Sequence, residues 1–307
     1  MGIAYSTGRE SGQPVIDASR CNRCQECVRV CPAGCLSPRA DGIRIEPDAK
    51  FGCLACGHCV MVCPHEAITV RGRGIERSAF EPLPPAGALP GPEALRALLL
   101  TRRSVRHFID RPVPGDVLDA VIAAAETAPM GLPPWEVGVV VFPDRAAVGE
   151  LARDTAGAYR RLVPMLDNPV SRVLMRLFMR RPAYDLFYTG ILPLGRDIVA
   201  AARNGEDHAL WNAPAALLFH ASPYADAADA AIACTYAMLQ AHALGLGTTM
   251  IGSVPGPLAH RRDLLDKYGV PRGHQPRLAL ILGYPAVPFR RTVRRALFRV
   301  TRYAAGT

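Results

Sequence analysis

No stretch of this 307-residue chain is apolar for long enough to span a bilayer. The most apolar run, residues 230–251, is interrupted by Gln240 and His242 and by Gly245 and Gly247, and it predicts a buried helix running into a strand. The first fourteen residues lack a basic segment followed by an apolar one, so no secretory leader is expected. A nucleic-acid footprint is missing too, because the net charge of +9 is concentrated rather than spread. Residues 290–302 hold six arginines and no acid, and residues 153–181 hold seven arginines against two aspartates, whereas residues 1–80 net only +2. Such local clusters suit specific anions or a basic lid. A complete dinucleotide fingerprint is lacking: Gly245-x-Gly247 has no third glycine and follows a helix. His58, His65, His107, His220 and His242 fall at no ligand spacing and read as surface or satisfied core residues.

What is present is cysteine in a strict order. Eight of the ten cysteines form Cys21-x2-Cys24-x2-Cys27-x3-Cys31-Pro32 and Cys53-x2-Cys56-x2-Cys59-x3-Cys63-Pro64. The doubled run resembles that of bacterial ferredoxins holding two [4Fe–4S] clusters, where the fourth cysteine of each run ligates the other cluster. On that pattern Cys21, Cys24, Cys27 and Cys63 hold one cluster, and Cys53, Cys56, Cys59 and Cys31 hold the second. The alternative is a pair of zinc sites, which two triplets each followed by Cys-Pro suit poorly. Thiolate ligands point to a reducing compartment, the cytoplasm. Of the two cysteines left over, Cys35 is expected beneath a cluster and Cys234 in a helix as an inert buried thiol.

The 32-residue offset between the runs marks a duplicated unit over residues 13–73. Short helices are expected at 25–30 and 58–62. Strands at 15–17 and 43–45 are expected to pair with each other, with 68–70 closing the second copy. So small a module has little core, and its clusters would staple it. Residues 74–92, rich in proline and glycine, read as a linker to a second domain at 93–307. There Pro92 opens a helix with Ala94, Leu95, Leu98 and Leu99 in a stripe. A second helix turns Val117, Leu118, Val121, Ile122 and Ala125 inward. Buried strands are expected at 137–142, 215–220, 248–251 and 278–282, and a helix at 226–244, which together give an α+β layered domain. Residues 155–207 carry no strand signal and read as a helical insertion or lid. Within it 172–181 is a basic amphipathic helix with Leu174, Leu177 and Phe178 inward; attachment to an anionic membrane is the weaker alternative. Tyr159, Tyr184, Phe187 and Tyr188 read as packing residues of this lid.

Four further stretches, in order, resemble the landmarks of FMN-dependent nitroreductases. Arg102-Arg103-Ser104-Val105-Arg106-His107-Phe108 is similar to their R-R-S-x-R-x-F. Ala128-Pro129-Met130-Gly131-Leu132-Pro133-Pro134-Trp135 sits where that family has A-P-S-x-x-N-x-Q-P-W. Gly245-Leu-Gly-Thr-Thr-Met-Ile-Gly252 looks like its G-L-G-T-x-x-x-G, and Gly283-Tyr284-Pro285 with the arginine-rich tail like its closing motif. The resemblance implies a mixed α+β fold with a central sheet and helices on both sides. It places Arg102, Arg103 and Ser104 at the FMN phosphate, Arg106 near N1/O2 of the ring, and Ile251 and Gly252 towards N5. Arg294 or Arg295 would close on the phosphate, and Pro129, Met130 and Gly131 would lie against the ring across a dimer interface. No catalytic side chain is implied, since the flavin N5 carries the chemistry. The family's Asn and Gln are absent from the 128–135 loop, where Gly131, Leu132 and Pro133 stand, so a more apolar substrate face is expected.

Joined to the cysteine module, this implies an iron–sulfur flavoprotein oxidoreductase. An external ferredoxin-type donor, or alternatively NAD(P)H, would supply electrons for a small nitro, quinone-like or activated C=C substrate. A homodimer is expected, with the alanine-rich helix 226–244 as a candidate interface. The alternatives are a dehydrogenase running in the opposite direction and a non-catalytic electron carrier.

Overall fold

The computed structural model describes residues 11–46, 49, 52–72, 80–129, 131, 136–226, 228–293 and 295–303. Two small antiparallel ladders open the chain. Strand β1 (Gln13–Ile16) pairs with β4 (Ile68–Arg71), placing Val15 opposite Thr69, and β2 (Leu36–Arg39) pairs with β3 (Gly42–Ile45). Helices α1 (Glu26–Arg29) and α2 (His58–Val62) follow the two cysteine triplets. The expected pairing of 15–17 with 43–45 is therefore wrong, because each ladder takes one strand from each half. The physical cause lies in the fourth cysteines. Cys31 and Cys63 leave their own helices for the other half, and the strands that follow them, β2 and β4, go along and pair there. The fully buried apolar side chains packed together in this module are few: Leu36, Ala55, Cys59, Ile68 and Val70. The Phe80 ring lies over Gly57, where a Cβ would come within 2.7 Å of it.

Alternation organises the rest. Helices α3 (Pro92–Thr101) and α4 (Gly115–Glu126) precede edge strand β5 (Val137–Phe142). The long α5 (Arg145–Asp167), α6 (Pro169–Phe178), α7 (Arg181–Leu186), a π-helical turn at Phe187–Ile191 and α8 (Leu192–Arg203) lead to β6 (Ala215–Ala221). Then come α9 (Asp229–Ala243), β7 (Gly247–Ile251), α10 (Pro255–Ala259), α11 (Arg262–Lys267) and β8 (Gln275–Gly283). The sheet order is β5-β6-β8-β7, with every neighbouring pair antiparallel. Side chains of a strand point alternately to opposite faces. Ala216, Leu218, Ala279 and Ile281 accordingly meet Leu151, Tyr159, Ile198 and Leu258 on one side. Ala215, Leu217, Phe219, Leu280 and Leu282 meet Val121, Ala233, Ala237 and Ala241 of α4 and α9 on the other. With both faces covered, β6 is buried at every position.

Four more expectations need correction. Strand β5 is an edge strand and only part-buried, since half of its backbone lacks a neighbour; Val141 is exposed. The 155–207 segment is not all insertion: Tyr159 on α5 and Ile198 and Ala201 on α8 are core residues, and only 168–191 holds no buried side chain. Leu174, Leu177 and Phe178 do not face inward, being 49%, 72% and 85% exposed. Helix α3 also leaves its expected stripe uncovered at Leu95 and Leu99. Among the described residues no helix is long and apolar enough to cross a membrane.

Candidate cofactor sites

The ten-residue turns around the cysteines repeat in backbone detail. Left-handed residues occur at Arg23 and Ala55, at Gln25 and Gly57, and at Gly34 and Glu66, each pair 32 positions apart. For non-glycine residues this conformation is strained, and it is held where amide groups must turn towards a common centre. The amides of Cys35 and Ala67 donate to the sulfurs of Cys31 and Cys63, at 3.3 and 3.2 Å, and the Ala55 amide donates to Cys53 Sγ at 3.4 Å.

Two cavities result. Cys21, Cys24, Cys27 and Cys63 line one, walled by Ile16, Ile43 and Ile68. Cys31, Cys53, Cys56 and Cys59 line a second, together with Cys35 and Leu36. Among the described residues no three His, Cys, Asp or Glu side chains converge on a point that one ion would occupy. Each set of four cysteines lines a single cavity, as a [4Fe–4S] cluster would require. Burial, and then the neighbouring sulfurs of Cys53, Cys31 and Cys56, push the Cys59 thiol up to about 12. Burial, followed by Cys63, Cys21 and Cys24, likewise raises Cys27. Four thiolates gathered this closely would need positive charge among them, which the iron of a cluster would supply. Cys35 is buried, and its thiol donates to the Gly52 carbonyl at 3.0 Å.

The second site is a strap laid across the end of the sheet. Ser104 forms a parallel bridge with Thr248, and the Val105 amide donates to the Thr248 carbonyl at 3.0 Å. Further along, Phe108 bridges Pro285 and the Ile109 amide donates to the Tyr284 carbonyl. The strap fits only because residue 247 is glycine: a Cβ there would sit 2.6 Å from the Val105 side chain. This run of bonds gathers Arg102, Arg103, Ser104 and Thr248 at the start of β7. Arg295 joins them, since burial and then the charges of Arg103 and Arg295 pull the Arg102 guanidinium below its ordinary value. Among the described residues no carboxylate pairs with Arg102, Arg103 or Arg295. Arg103 Nη1 donates to the Arg102 carbonyl at 2.7 Å, but its Nη2 is buried without a partner, as is Thr248 Oγ1. Clustered cations with orphaned donors are a site built for a multivalent anion, and a flavin phosphate fits it.

Ile251 and Gly252 lie at the other end of β7, three to four residues from Thr248, or about 10–13 Å along an extended strand. There the buried Tyr159 hydroxyl donates to the Ser253 carbonyl at 2.7 Å, and burial pushes that phenol up to about 12. Tyr159 is thereby committed to holding the turn. Arg106 rests over the Trp211 ring, 5.1 Å from its centre, a contact with no signal in the sequence pattern. Pro129 and Gly131 are not brought to the arginines. The Gly131 amide donates to the buried Asp229 carboxylate at 3.0 Å, at the start of α9, whereas Thr101 meets His242 at 2.8 Å near its end. The length of α9 separates them, about 20 Å. Met130 and Arg294 lie outside the described residues.

A profile of the nitroreductase family matches residues 99–284. The chain belongs to the nitroreductase family. A 4Fe-4S dicluster domain profile matches residues 20–68 in front of it. A curated relative, an FMN reductase [NAD(P)H] of Bacillus subtilis (strain 168), is 27% identical over 191 residues, which is 61% of this chain. The match spans 64% of that relative, less than two thirds of its length. Among solved structures, a nitroreductase with bound FMN from Bacteroides fragilis NCTC 9343 superposes with a TM-score of 0.51 at 19% identity, over 68% of this chain and 98% of its own. A nitroreductase with bound FMN from Desulfitobacterium hafniense DCB-2 gives 0.47 at 17% identity, over 68% and 97%. The nitroreductase fold thus covers the helix–sheet–helix part of the chain, and the cysteine module is an addition to it.

Proposed function

We propose that this nitroreductase-family chain is an iron–sulfur flavoenzyme that binds FMN at the arginine strap and two [4Fe–4S] clusters in the two thiol cavities, as a module at 13–73 joined to a domain at 93–307. The observation that carries the reading is the coexistence in one chain of two four-thiol cavities and an arginine cluster that has no carboxylate partner among the described residues. When bound, the clusters carry single electrons, while the flavin pools two and delivers them as a hydride. The chain's own residues supply the setting. Arg102, Arg103 and Ser104 anchor the phosphate, with Arg295 above them. Arg106, held on Trp211, offers positive charge to a flavin that gains negative charge on reduction. Tyr159 fixes the Gly252–Ser253 turn whose amides would face the ring. Gly131 in place of a polar side chain leaves a more apolar substrate face, suited to a small nitro, quinone-like or activated C=C compound.

The electron donor in this reading is an external reduced ferredoxin-type protein in the cytoplasm, with NAD(P)H as the second candidate, for which the name of the B. subtilis relative speaks. A homodimer is part of the proposal. Gly131 lies at the far end of α9 from the arginines, which fits an arrangement where it serves a neighbouring copy. Ala230, Ala233, Ala237 and Ala241 of α9 are spent on its own core, so the interface would use the more exposed Tyr236, along with Leu95 and Leu99. The test is anaerobic flavin reduction by a reduced ferredoxin. Wild type is expected to bleach the flavin rapidly and Cys21→Ser to lose that path; a Cys21→Ser protein as fast as wild type would overturn the electron route.

A further inference from the structure

Helix α6 is amphipathic and faces the wrong way for a soluble surface helix. Asn168 caps it by accepting from the Val170 amide at 2.9 Å, and Pro169 starts its first turn. Its apolar residues Val170, Val173, Leu174, Leu177 and Phe178 recur at i, i+3, i+4, i+7 and i+8, a single stripe about 140° wide. A helix with that pattern ordinarily buries the stripe. Here every one of the five is between 49% and 85% exposed. The side that meets the protein is the other one: Met175 Sδ lies 3.5 Å from the Tyr188 hydroxyl, and the Arg172 guanidinium lies 5.2 Å from the centre of the Tyr188 ring. Tyr188 itself donates to the Leu166 carbonyl at 3.2 Å. The helix is thus pinned by its polar flank with its apolar face presented outward.

We infer that this face docks on an anionic phospholipid surface. Charge decides the occupant. Arg176 borders the stripe, and Arg180 and Arg181 follow its end. The aspartates of the segment are engaged: Asp167 pairs with Arg196, and Asp185 with Arg181 at 3.8 Å. A second copy meeting this face about a two-fold axis would bring two sets of these arginines together, a like-charge contact that opposes association. A membrane with acidic headgroups takes the apolar stripe into its interface and the long arginine stems around its rim. A helix of ten residues lies on such a surface and does not span it.

Sedimentation of the anaerobic, cofactor-loaded full chain with vesicles tests this. Vesicles of phosphatidylcholine with about 30 mol % phosphatidylglycerol should pellet the protein, pure phosphatidylcholine should not, and raising salt should release it. Leu177→Glu and Phe178→Glu should each lower partitioning at least about tenfold, and Arg176→Gln and Arg180→Gln about fivefold each, with the cofactor spectra unchanged. Equal pelleting with and without acidic lipid, or glutamate variants that bind as well as wild type, would overturn the inference. A native-mass measurement in which Leu177→Glu splits an oligomer would also overturn it, assigning the face to contact between copies.

Discussion

The two halves of this chain are stabilised by opposite means. The cysteine module has a handful of buried apolar side chains, among them Leu36, Ile68 and Val70, and keeps several left-handed non-glycine residues around its two cavities. The sheet domain has a continuous core on both faces of β6 and β8 and spends few residues on its ligand site. In the proposed reading, clusters would serve the first half as its core, whereas the second half has a core of its own and would hold its cofactor by a strap. A module of about sixty residues cannot bury enough surface to offset its chain entropy unaided, whereas a three-layered domain of some two hundred residues can.

Stripping iron from the protein breaks the comparison most sharply if it is wrong. The module is expected to unfold, with amide exchange and proteolysis rising over 13–71, while the sheet domain stays protected. Protection retained in an iron-free module would show that its peptide core suffices. The converse is Phe219→Ala, which removes a ring buried between β6 and α9. It should cost the sheet domain about 3–5 kcal/mol in denaturant unfolding and leave cluster absorbance intact until that domain melts. Arg103→Ala tests the strap. Loss of a half-buried guanidinium with a free donor should weaken FMN about 10–100-fold by fluorescence titration, with no comparable loss of stability. Unchanged FMN affinity would remove Arg103 from the site.

The smallest effect concerns pH. Burial, and then the neighbouring His274 at 3.0 Å, hold the His220 imidazole down to about 4. The folded state therefore holds fewer protons than the unfolded chain between about pH 4 and 6.5. The stability His220 contributes is complete above pH 6.5 and is lost as pH falls towards 4, about 2 kcal/mol or less. Melting followed by tryptophan fluorescence reads this domain alone, since Trp135 and Trp211 both belong to it. His220→Asn should flatten that limb of the profile; an unaltered slope would mean another group carries it.

Legibility in the sequence follows the same divide. The cysteine positions could be read because a cluster dictates ligand spacing directly, and β6 and β8 because residues between two helical layers run apolar. Which of four short strands pair was not legible, since 13–16, 36–39, 42–45 and 68–71 differ little locally and the crossing of Cys31 and Cys63 decides the ladders. The orientation of α6 was hidden for a related reason. Its wheel shows two faces, but only Tyr188, brought over by the π-helical turn at 187–191, determines which one looks in. The arginine strap was visible as a motif. The orphaned donors Arg103 Nη2 and Thr248 Oγ1, which give it a need for an anion, depend on burial that only the fold creates. The support of Arg106 by Trp211 had no sequence signal, because Trp211 sits on a left-handed corner far away in the chain.

The central claim is that both kinds of cofactor occupy one chain, and a single anaerobic preparation tests it most directly. Iron analysis and flavin extraction, with electron paramagnetic resonance of the reduced protein, should give about eight iron atoms and one FMN per chain, with signals of two interacting [4Fe–4S] clusters. Zinc in place of iron, or iron without flavin, would contradict the account.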